Sequence, residues 1–225
     1  GQVKGAPMDA DNRKIPSHEV TYARLRDMIL FGHLAPGAPV TIQGLIGDLG
    51  AGMTPVREAI RRLTAEGALL PQGNRRVAVP QLSAGMLDQV AFARLAIEPN
   101  LAARAATRLT PAQIDRLEAI DTKVNHAIDA GNLPDSLAAH HAFHFALYEA
   151  ADAPVLLDLA RSLWLRAGPS LRAVIDRFGR EPAPDLHREA LTAMRARDAA
   201  ALAAAIERDI QQGVDHVRQA LGETP

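Results

Sequence analysis

The chain has no cysteine, one tryptophan, two tyrosines and five phenylalanines among 225 residues. Without thiols there is no disulfide framework, no thiolate nucleophile and no thiolate metal site, and a reducing cytoplasm is the compartment expected. No apolar run approaches the ~18 residues needed to span a membrane. The opening stretch GQVKGAPMDADNRK lacks the apolar core of a secretory signal, and residues 1–17 are expected to form a disordered tail outside the fold. What remains is ordinary in bulk: 48% apolar and 23% charged residues. That balance excludes a wholly disordered, collagen-like or low-complexity chain. The length fits one or two domains.

Charge is unevenly spread. Residues 18–80 carry seven arginines against five acidic residues, whereas residues 81–225 carry fifteen basic against nineteen acidic ones. The positive charge of the first segment is concentrated at Arg57, Arg61, Arg62, Arg75 and Arg76. Such a cluster is an electrostatic footprint for phosphate, although a solvated arginine-rich helix face would look the same. Six of the eight histidines lie in the acidic segment: His126, His140, His141, His144, His187 and His216.

The division falls near residue 80. From His18 to Phe31 the spacing predicts a helix, with Val20, Leu25, Met28 and Ile29 on one side. Gly32 and the turn LAPGAP end it, and a short helix over 42–49 follows. After Gly50-Ala51-Gly52, Thr54 is placed as N-cap and Pro55 at the first helical position of a third helix that ends at Gly67. Thr54, Arg57, Glu58 and Arg61 share its outer face. Leu69-Leu70, the turn PQGNR and Val77-Ala78-Val79 read as a β-hairpin with a basic tip. Three helices and a hairpin describe a winged helix-turn-helix, whose second motif helix enters the major groove of DNA. Arg75 and Arg76 would reach the backbone or minor groove from the wing.

The stretch LRDMILFGHLAPGAPVTIQGLIGDLGAGMTPVREAIRRLTAEGALL resembles the DNA-binding domain of the GntR family, chiefly through TPVREA and the Arg62-Leu63 to Glu66-Gly67 run. The resemblance implies DNA contacts from Gln43, Thr54, Pro55, Arg57, Arg61, Arg75 and Arg76, and a homodimer on an operator of two-fold symmetry. The family usually carries Ser-Arg or Thr-Arg where this chain has Gly52-Met53, and a cation near Gln43. Met53 cannot read a guanine bidentately, so an altered base preference is expected.

Residues 81–225 read as six helices over about 83–108, 111–130, 134–151, 154–176, 182–196 and 198–220. Alanine is abundant and strand-type alternation is missing, which predicts an antiparallel helical bundle. Helical spacing turns His140, His144, His187, Asp209 and Arg94 inward, with His216 a further candidate. Buried ionisable groups must pair, neutralise or bind a metal. His140 and His144 stand one turn apart, which suits two ligands on one ion, and imidazoles with a carboxylate favour zinc or another late divalent transition metal. A pair of satisfied core histidines is the plainer alternative.

ARLAIEPNLAARAA, HAFHFALYEAADAPVLLDLARSLW and LHREALTAMRARDAAALAAAIERDI resemble, in order and spacing, the all-helical effector domain of the FadR-type branch of that family. Many members hold a divalent metal through one Asp and three His. Here His140 stands in the Asp place, His144 and His187 in two His places, and Asp209 in the third His place, so one Asp and one His are exchanged while the composition is kept. His141 or His216 could replace an assigned ligand, and nickel or manganese remain alternatives to zinc. Arg94 matches a pocket arginine, which implies a small carboxylate effector; a salt bridge to Glu98 is the competing reading. The expected protein is a cytoplasmic, ligand-responsive repressor. The alternatives are a regulator with a purely structural metal or none, and a metal-dependent enzyme.

Overall fold

The computed structural model describes residues 17–74, 76–178 and 185–222. Of the tail expected over 1–17, residues 1–16 lie outside the described residues, as do Arg75 and the expected start of a helix at 182–184, whereas Ser17 already belongs to the first helix.

The first half runs α1 (Ser17–Leu30), β1 (Pro39–Val40), α2 (Ile42–Leu49), α3 (Met53–Ala65), β2 (Leu70–Pro71) and β3 (Val77–Ala78). Thr41 caps α2 by accepting the Gly44 N–H at 3.0 Å, and Gly50 closes it in the left-handed conformation. The N-cap of α3 is Gly52, without a side-chain bond, so Thr54 is not the cap and Pro55 is not the first helical residue. Pro55 sits in the first turn instead, where its missing N–H has no intrahelical partner to lose. The expected hairpin exists, but its sheet has three strands in the antiparallel order β1–β3–β2. The turn LAPGAP supplies the extra strand through Pro39 and Val40. Leu25, Ile29, Leu45, Val56, Ala59 and Leu63 form the core, whereas Val20 is 41% exposed, contrary to the expected stripe.

The second half is α4 (Ala84–Ala106), α5 (Pro111–Asp129), α6 (Leu133–Glu149), α7 (Pro154–Phe178), α8 (Leu186–Ala196) and α9 (Ala199–Ala220). Caps define the starts: Ser83 on α4, Thr110 with Gln113 as a capping box on α5, Asn132 on α6, Asp185 on α8 and Asp198 on α9. Two helices continue through an interior proline, Pro99 in α4 and Pro169 in α7. Each proline removes one ladder bond, and tertiary packing carries the helix past it. None of the described helices is long and apolar enough to cross a membrane.

The halves share one apolar core. Their seam is α7 against the ends of α1 and α3. Ser162 Oγ donates to the Glu66 carbonyl at 3.1 Å, and Arg172 donates to the Phe31 carbonyl at 3.2 Å. At Gly168 a Cβ would fall 2.3 Å from the Leu30 carbonyl oxygen, so only glycine lets α7 approach α1 this closely.

Candidate functional site

Two sites merit construction from their residues. On the outer face of α3, Thr54, Arg57 and Arg61 are exposed, with Pro55 half-buried beside them. Gln43 is exposed on α2, and Arg76 is exposed beside the wing strands. Arg61 forms an ion pair with Glu58 at 2.6 Å on the surface. Arg62 differs from its neighbours. It lies 3.7 Å over the Tyr22 ring and bonds Glu19 at 3.0 Å, tying α3 to α1. Arg62 therefore holds the fold, and the helix leaves Arg57 and Arg61 as the cations toward a partner.

Inside the bundle, α6 brings His140 and His144, α8 brings His187 and α9 brings Asp209. One ligand atom from each lies within 4.8 Å of all the others. The four expected ligands thus converge; among the described residues His141 and His216 do not join them. His141 packs against Phe145 and Trp164 instead, with ring centroids 4.5 and 5.5 Å away. Burial first, then the neighbouring His144, Arg26 and Arg161, push the His141 imidazole down to about 4, so it is neutral near pH 7.

Hydrogen bonds on the far side of two rings decide which nitrogen carries the proton. Tyr148 has one hydroxyl proton, and it goes to Glu98 Oε1 at 2.8 Å. Burial and the Glu98 carboxylate push the Tyr148 phenol well above its ordinary value, so that proton stays. His144 Nδ1, 3.0 Å from the same hydroxyl oxygen, must then be the donor. Likewise His187 Nδ1 donates to Asp121 Oδ1 at 2.9 Å. Both Nε2 atoms are left as lone-pair groups pointing into the cluster, and both are buried without a hydrogen-bond partner. His144 Nε2 is only 2.7 Å from Asp209 Oδ2, but the approach lacks the direction of a hydrogen bond. Two imidazoles oriented from behind, converging with His140 and Asp209, form a three-histidine, one-aspartate group that could hold a metal ion.

Sequence reasoning missed Asp121, which follows Ile114 and Leu117 on the buried stripe of α5. A carboxylate on an apolar stripe was the available signal. It also missed Tyr148 and Trp164 as partners of Glu98. For Arg94 the fold makes the competing ion pair with Glu98. Its Nε bonds Glu98 Oε2 at 2.6 Å, its guanidinium lies 4.6 Å over Trp164, and it still borders a narrow cavity with His140 and Asp209. Glu98 is fully buried and accepts from Arg94, Tyr148 and Trp164.

Residues 18–79 match the family model of bacterial regulatory proteins, gntR family, and residues 89–212 match the FCD domain. The chain is 31% identical over 147 residues to the Escherichia coli HTH-type transcriptional regulator McbR, covering 65% of this chain and 66% of that protein. It is 27% identical over 213 residues to the E. coli HTH-type transcriptional repressor RspR, covering 91% and 90% of the two chains. The solved structure of E. coli McbR/YncC superposes with a TM-score of 0.85 at 25% identity, over 92% of this chain and 99% of that one. These relatives are transcription regulators and not enzymes.

Proposed function

We propose, for a chain that belongs to the gntR family of bacterial regulatory proteins and carries an FCD domain, a ligand-responsive repressor that senses a small carboxylic acid at a divalent metal. Membership makes the protein a DNA-binding transcription regulator. The finer reading rests on one observation: His144 Nε2 and His187 Nε2 are buried lone-pair atoms with no hydrogen-bond partner, turned toward Asp209 and His140. A buried polar group left unpaired is costly, and a cation removes that cost at both atoms together.

His140, His144, His187 and Asp209 would hold the ion, zinc by the chemistry of the donor set, with nickel and manganese as the other candidates. When bound, the ion supplies a positive centre with coordination positions for a carboxylate oxygen. Asp121 and Tyr148 fix the two imidazoles that face it. Arg94, pinned by Glu98 at the cavity wall, offers its remaining N–H groups to the same carboxylate.

Arg57, Arg61 and the wing residue Arg76 would meet phosphates, with Arg75 expected beside them; Gln43 and Thr54 face base edges, and Pro55 shapes the first turn of α3. A homodimer on a two-fold operator follows this reading. It is supported by the exposed apolar side chains Phe92 on α4 and Val155 and Leu159 on α7, helices that border a common groove. Binding of the acid would favour one spacing of the two winged halves over another.

Elemental analysis of the untagged protein tests the reading, with His144→Ala alongside. About one equivalent of a divalent metal per chain is expected in the wild type, and none in the variant. A gel-shift series on the protein's own promoter then compares metal-loaded protein with and without carboxylates. A metal that stabilises the fold while no acid alters DNA binding would make the metal structural and sink the sensor. No metal uptake from divalent ions would remove the metal altogether.

A further inference from the structure

The cavity beside the four converging groups is not enclosed by the bundle alone. Its lining joins Arg94, His140 and Asp209 to Leu30 and Phe31. Leu30 is the last residue of α1 and Phe31 follows it, both in the winged half. They are held there by short contacts. Phe31 meets the edge of His141 with centroids 5.8 Å apart, and its carbonyl accepts from Arg172. Gly168, also on the cavity wall, lets the Leu30 carbonyl sit against α7. From Leu30 the helix runs back to Tyr22, whose hydroxyl bonds Glu66 at the end of α3 at 2.7 Å.

We propose that Leu30 and Phe31 are ligand-contacting residues, so that the effector is a monocarboxylate with a short apolar body touching both halves of the chain at once. This rests on the carboxylate-at-metal reading above and adds what the far end of the ligand meets. Among the described residues that line the cavity Arg94 is the one arginine or lysine, which accounts for one carboxylate. Leu30, Phe31, Leu137, Leu171 and Ile210 offer apolar surface, and His141, neutral near pH 7, offers no charge to a second one. A dicarboxylate would bury its second charge unpaired, which is costly. An apolar body in contact with α1 acts on the helix that carries α3, with no intermediate element.

Trp164 is the chain's one tryptophan and lines the cavity, so its fluorescence reports occupancy. The full-length zinc-loaded protein would be titrated with acetate, butyrate and succinate, and the titration repeated after chelation. Each buried methylene is worth about four-fold in affinity, so butyrate should bind about fifteen-fold tighter than acetate. Succinate should bind more weakly than butyrate. Phe31→Ala should bring the butyrate-to-acetate ratio close to one while leaving acetate binding in place. Phe31→Leu, which keeps apolar bulk, should retain most of the ratio and shows that the seam still folds.

An unchanged ratio in Phe31→Ala, or equal binding of acetate and butyrate by the wild type, overturns the proposal. Metal-dependent acetate binding in that same experiment would leave the carboxylate-at-metal reading standing. If none of the three acids changes the Trp164 signal in zinc-loaded protein, that reading and this proposal fall together. Butyrate preference that survives chelation would support the apolar subsite and overturn the role of the metal.

Discussion

Arg61 and Arg94 each pair with a glutamate on their own helix, Glu58 three residues before and Glu98 four residues after. The first pair stands in water at 69% and 40% exposure; the second stands at 14% and 0%. Their distances are the same, 2.6 Å, yet their consequences differ. Around Arg61 the partners are replaceable by solvent, so the winged half keeps its cations available for phosphate. Around Arg94 the partners are buried and shared: Glu98 also receives Tyr148 and Trp164, and Tyr148 in turn orients His144. Contact geometry therefore says little about worth until burial is known.

The largest test of that contrast removes one carboxylate from each pair. Glu98→Ala strands a buried guanidinium and two buried donors, and should cost about 3–5 kcal/mol in denaturant unfolding. Glu58→Ala should leave the unfolding midpoint where it is. Equal effects from the two variants would mean that the Glu98 network relaxes into water and is not a fixed support.

A smaller effect is expected one step further from the cluster. Asp121→Asn keeps the size of the group behind His187 and loses its charge. Metal affinity, measured by competition with a chromophoric chelator, should fall by about 10–100-fold. Unchanged affinity would show that Asp121 does not set the orientation of His187. In the winged half, Arg57→Ala should weaken binding to every DNA sequence and lower the slope of log affinity against log salt by about 0.9. Metal content should stay the same in that variant. A slope identical to the wild type would take Arg57 off the phosphate contacts.

The same contrast separates what could be read in the chain from what could not. Helix ends are local events: the starts expected at 42, 83, 111 and 198 fall within one residue of those in the fold, where Thr41, Ser83, Thr110 and Asp198 are the caps. The inward turn of His144, His187 and Asp209 was legible in helical spacing, which left His141 beside His140 and His216 as further candidates; the resemblance to the family's ligand positions chose His140. The two-residue strand β1 was not, since its pairing with Val77 and Ala78 is made by residues far along the chain. Thr54 looked like a cap because Thr-Pro is a good start signal, but Gly52 and Met53 extend the helix before it. Asp121 stood on a readable stripe, whereas its partner His187 is brought by another helix, 66 positions on. Leu30 and Phe31 as cavity wall depend on how α7 meets α1, which no local pattern encodes.

The smallest expected effect lies in the winged half at alkaline pH. Tyr22 donates to Glu66 and lies under Arg62; burial first, then the bond and charge of Glu66, raise its phenol from about 10 to about 12. A group raised on folding contributes stability that is whole below its unfolded value and is lost as pH climbs through the folded one. Unfolding curves of the wild type should therefore lose stability between about pH 10 and pH 12, and those of Tyr22→Phe should be flatter there. Identical curves would mean that the phenol does not couple α1 to α3 in folding. A metal held by the four groups would respond at the other end of the scale, because metal affinity falls in acid. If the halves unfold as one unit through the α1–α7 seam, acid and alkali should each move one shared transition. If they unfold separately, alkali should shift the winged transition alone, and Tyr22→Phe should leave the acid transition untouched.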